Sequence, residues 1–83
     1  MYKIRLTDSV TIQKFSILKP EVEMEFQDSV PKTDASERVY KALDIVVEGQ
    51  LLQLARRMSK QQKQAALADV SVDDRFKQII KDT

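Results

Sequence analysis

Eighty-three residues carry 14 Lys and Arg against 13 Asp and Glu, a formal net charge of +1, with neither His nor Cys and a single glycine, Gly49. That inventory removes disulfides, thiolate and imidazole metal ligands, and nucleophiles that need a thiol or an imidazole base. One glycine cannot build a glycine-rich phosphate loop, and the near-neutral balance lacks the basic excess with which a chain grips nucleic-acid phosphates. The expectation is one non-enzymatic binding domain, 1–83, without cofactor or metal.

A chain this short buries only about two-thirds of the surface its unfolded form exposes. With no covalent or metal staple, packing and association must supply the rest, so a homodimer is expected. The start, MYKIRLTDSV, has no apolar leader core, and no apolar run approaches membrane-spanning length. No membrane association and a cytoplasmic location are the corresponding expectations.

Along the chain, Tyr2, Ile4 and Leu6 alternate with Lys3 and Arg5, which predicts a half-buried strand. Thr7-Asp8-Ser9 has turn chemistry. Val10 to Leu18 predicts a second strand with a bulge near Gln13-Lys14, because Val10 and Ile12 have the opposite parity to Phe15 and Ile17. A turn at Lys19-Pro20 then leads into Glu21 to Phe26, the clearest alternation in the chain. That turn would pair Ile17 with Val22, Phe15 with Met24 and Lys14 with Glu25, completing a three-stranded antiparallel meander over residues 1–28.

Past the connector holding Pro31, Asp34 and Glu37 have capping-box spacing with Val30 as a staple, and a long amphipathic helix is predicted over 33–58. Its apolar stripe reads Tyr40, Leu43, Val47, Leu51, Leu54 and Met58, widened by Val39, Val46 and Leu52. Such a helix is about 37 Å long, more than three strands cover. Leu43, Val47, Leu51, Leu54 and Met58 are therefore the expected dimer or partner interface, and Gly49 is either a tolerated helical glycine or a helix-crossing point. Over 59–83, Ser59 with Gln62 and Ser71 with Asp74 resemble capping boxes, the second opening a short helix on Val72, Phe76, Ile79 and Ile80. The fold class is α+β.

Two charge groups compete with solvation as binding sites. Arg56, Arg57, Lys60 and Lys63 form the strongest basic cluster, with Arg56, Lys60 and Lys63 on one face of an unbroken helix, where they suit nucleic-acid phosphates. Glu21, Glu23 and Glu25 share one strand face, as an acidic docking patch or a solvated face balanced by Lys14, Lys3 or Arg5. Tyr2, Phe15, Phe26, Tyr40 and Phe76 are expected in the core. The leading functional expectation is a regulator, inhibitor or adaptor that binds protein. A dimeric DNA- or RNA-binding regulator, or a structural subunit of a larger assembly, are the alternatives.

Overall fold

The computed structural model describes residues 1–83 and gives an α+β fold of four strands followed by three helices. Strands β1 (Tyr2–Thr7), β2 (Val10–Gln13), β3 (Ser16–Leu18) and β4 (Glu21–Phe26) precede helices α1 (Lys32–Arg57), α2 (Lys60–Ala68) and α3 (Asp74–Asp82).

The strands do not make a three-stranded meander. β1 pairs with β4 and β2 with β3, both antiparallel, giving two two-stranded sheets. Tyr2 faces Phe26 and Val10 faces Leu18 in one continuous register, so residues 2–26 are a single long hairpin. The ladder is interrupted where Pro20 has no N–H to donate. Asp8 still donates its backbone N–H to the Pro20 carbonyl at 3.0 Å, and Pro20 itself is buried. Lys19-Pro20 therefore passes the chain onward instead of reversing it. The reversal occurs at Lys14-Phe15, where Phe15 takes a left-handed φ of 68° and the register shifts between Thr11 and Gln13. The expected pairs of β4 with Phe15 and Ile17 are replaced by Ile4 with Met24 and Leu6 with Val22. Apolar–basic alternation in β1 matches that around Lys14 closely enough to satisfy β4 equally well.

Helix α1 begins at Lys32, two residues before the expected cap, with Pro31 at the N-cap and no side-chain capping bond. Asp34 falls in the first turn and Arg56 and Arg57 in the last, all favourable to the helix dipole. Val30 packs with the cluster that contains Ala35, four positions into the helix, which is the staple arrangement. The buried residues are Ala35, Val39, Leu43, Val47, Leu51 and Ala55, one every fourth position. At 3.6 residues per turn each step gains about 40°, so this ridge winds roughly 200° around α1. One element cannot follow it. Ala35 and Val39 pack with Phe26 beneath the β1–β4 ribbon, while Leu43 to Ala55 pack with Val10, Val72, Phe76 and Ile80 toward α3.

This corrects the expected interface. Leu43 and Val47 retain 4% of their exposure and Leu51 none, all covered within one copy. Tyr40, expected on the same stripe, is 59% exposed because it lies off the winding ridge.

Met58 turns extended and ends α1. Ser59 then caps α2 with a complete capping box: Gln62 N–H donates to Ser59 Oγ at 3.1 Å, and Ser59 N–H donates to Gln62 Oε1 at 2.8 Å. The second expected box is displaced. Asp73, not Ser71, caps α3 by accepting from Arg75 N–H at 2.8 Å, while Ser71 donates twice to Asp69. Val72, Phe76 and Ile80 are buried and Ile79 packs at the edge.

Leu51→Ala is expected to cost about 2–5 kcal/mol, and Tyr40→Ala, which removes no buried side chain, under about 0.5 kcal/mol. Urea unfolding followed by circular dichroism measures both, and equal losses would contradict the winding ridge.

Candidate functional site

A concave surface lies where the β2–β3 tip, the end of α1, α2 and α3 meet. It is a groove of about 450 Å³. Its apolar lining comes from Ile12 on β2, Leu54 and Met58 at the end of α1, Ala65 and Ala66 on α2, and Val72 and Phe76 toward α3, with Gln13, Lys14, Gln62 and Asp69 as its polar lining. The groove exists because α1 breaks at Met58-Ser59: the capping box starts α2 in a new direction and leaves Leu54 and Met58 half-covered. Of the five residues expected at an interface, these two alone reach a surface another molecule can touch.

Phe15 stands beside the groove at the tip of the hairpin, 94% exposed. A left-handed φ costs a residue with a Cβ roughly 1–2 kcal/mol, and an exposed ring recovers none of that by burial. Lys14 holds its ammonium 5.3 Å from the Phe15 ring centroid, and Ile17 nearby is 52% exposed. The core expectation therefore fails for Phe15 and Tyr40. It holds for Phe26 and Phe76, and for half-buried Tyr2, which stacks on Phe26 with ring centroids 5.8 Å apart and donates its hydroxyl to the Val30 carbonyl.

A clamp fixes the groove's frame. Asp73 N–H donates to the Thr11 carbonyl at 2.9 Å, tying the approach to α3 onto β2. The Arg75 guanidinium bridges Asp8 at 2.6 Å and Asp73 at 3.1 Å, joining the ribbon to α3 across 67 residues of chain. Hydrogen bonds from Arg75 hold both carboxyls below the usual carboxylate range, against a partial desolvation that raises them, and the two acids raise the guanidinium. In the groove's polar lining, Ser71 lowers Asp69 in the same way through its hydroxyl and its N–H.

The charge groups are arranged differently from expectation. Arg56 and Arg57 end α1 while Lys60 and Lys63 begin α2, so the break at Ser59 removes the single face that an unbroken helix would give Arg56, Lys60 and Lys63. The carboxylates of Glu21, Glu23 and Glu25 do share a ribbon face, but Lys3 lies opposite Glu25 and Arg5 opposite Glu23, with Arg5 reaching Glu21 at 3.4 Å. That face is a ladder of opposite charges. Lys14, expected to balance it, is on the hairpin tip instead. No helix is long and apolar enough to cross a membrane.

Comparison with protein-family models, curated proteins and solved structures finds no match to this chain.

Both clamp carboxyls titrate below their unfolded value near 3.8. The stability they add is therefore complete above that value and lost as pH falls through their lower, folded values. Urea midpoints measured from neutral pH down to about pH 2 should drop steeply below about pH 4, and Arg75→Met should flatten that limb. An identical acid limb in the variant would show that the clamp adds nothing.

Proposed function

We propose that the chain is a cytoplasmic, homodimeric binding protein that acts by protein–protein interaction, as a regulator, inhibitor or adaptor, through the groove and the Phe15 tip. The exposed, left-handed Phe15 carries this reading. Backbone strain at Phe15 opposes folding and its solvated ring offsets none of it, and a bulky residue in that conformation is a recognised signature of a functional position. Aromatic anchors beside apolar pockets are also where binding energy concentrates in protein interfaces. The groove supplies such a pocket next to the anchor, with a lining that is mostly apolar.

A nucleic-acid reading draws less support. Arg56 and Lys60 are exposed, but Lys63 is half-buried, and the helix break at Ser59 puts the two pairs on different helices. Phosphate tracking wants a continuous basic surface.

Phe15→Gly separates stability from function. Glycine adopts the left-handed turn without strain, so the variant should gain up to about 1 kcal/mol of stability while losing the anchor. Ala65→Glu, on the exposed side of α2, should block the groove without touching the core. Tagged wild-type chain in nuclease-treated native lysate is expected to retain a protein that both variants lose by at least about tenfold, the effect of removing one strong anchor. Retention unchanged in both variants, or retention that disappears with nuclease, contradicts the reading.

A further inference from the structure

Helix α1 carries a second apolar stripe that its own chain leaves open. Ala42, Ile45, Gly49 and Leu52 follow at steps of 3, 4 and 3, the spacing of a helix that packs lengthwise along another helix. The covered ridge winds while this stripe runs nearly straight, so the two diverge along the back of α1. Ile45 is 71% exposed, Ala42 and Leu52 are half-buried, and a Cβ built on Gly49 meets nothing within 4 Å.

Side-chain size alternates along the stripe: small, large, small, large. Read from the other end, the order is large, small, large, small. A second copy running antiparallel therefore sets its Leu52 against Ala42 and its Gly49 against Ile45, and two-fold symmetry repeats both contacts in reverse. A parallel copy would stack Ile45 on itself and leave a void at Gly49. Charge agrees with the antiparallel choice. Lys41 and Glu48 lie on the same side of the stripe, and this register brings the Lys41 of one copy within about 7.5 Å along the axis of the partner's Glu48, a span that an extended lysine covers. At the ends, Arg38 comes level with the partner's Arg56, which limits the seam to four layers.

The chain also exposes more surface than a compact monomer of its mass. A compact monomer of 9.6 kDa exposes about 5,100 Å², whereas this chain exposes 6050 Å² over extents of 51 × 23 × 16 Å. The excess, roughly 950 Å², belongs to the elongated shape as a whole, and a four-layer seam covers part of it.

We propose that the chain forms a two-fold antiparallel dimer through Ala42, Ile45, Gly49 and Leu52, with small residues seated against large. This rests on the homodimeric part of the reading above and is independent of the groove. Sedimentation equilibrium of the full chain should show the mass rising from 9.6 kDa toward twice that value with concentration. Gly49→Leu places a side chain in open space within one copy and improves helix propensity, so the fold survives. In the dimer it meets Ile45 and should weaken association at least tenfold. Ile45→Ala added to Gly49→Leu exchanges large for small and should restore association. A spin label at Arg57→Cys should report a separation of roughly 30 Å in the antiparallel pair, against about 10 Å in a parallel one. A strict monomer at every concentration removes the dimer reading itself. A dimer indifferent to Gly49→Leu, a loss not restored by the exchange, or a short label distance removes this interface and leaves a dimer formed elsewhere.

Discussion

The constraint on which the whole molecule depends is the spacing of six small and medium apolar residues on α1. Ala35, Val39, Leu43, Val47, Leu51 and Ala55 recur every fourth position, so the surface they form winds around the helix instead of lying along it. A ribbon can cover one end of such a ridge and a short helix the other, and the chain supplies both, one from each terminus. Two apolar clusters result in place of one closed core, the smaller under Phe26 and the larger around Leu51 and Phe76. The Arg75 clamp stitches the two covering elements to each other with ion pairs at 2.6 and 3.1 Å.

That construction also determines which surfaces remain. The break at Met58-Ser59 opens the groove between the β2–β3 tip, the end of α1, α2 and α3, beside Phe15. On the far side, α1 has no second layer at all, which is why Ile45 and Gly49 stand free. Groove and bare helix back lie on different sides of α1, so a partner in the groove and a second copy on the back do not compete.

The helices were largely legible in the sequence because their signals are local. Apolar periodicity located α1 and α3, and the reciprocal bonds of Ser59 and Gln62 were readable as a capping box. Strand pairing was not legible, since alternation in β4 suits any neighbour with apolar and basic residues in turn, and both β1 and the Phe15 segment qualify. Periodicity also says that a face of a helix is covered without saying by what, so Leu43, Val47 and Leu51 read as a dimer surface when α3 and β2 already occupied them. The parity reversal between Ile12 and Phe15 was visible, and it marked the hairpin tip that carries the exposed aromatic. Its cause, a left-handed residue without glycine, has no local signature in an aromatic side chain.

Hydroxyl-radical footprinting of the dilute chain tests the winding ridge most directly, because it reads side-chain exposure residue by residue in one copy. The account predicts rapid oxidation at Phe15, Ile45 and Val70 and strong protection at Leu43, Leu51 and Phe76. Oxidation of Leu43 and Leu51 at rates like that of Ile45 would mean that α1 is not covered within its own chain, and both the groove and the bare helix back would lose their basis.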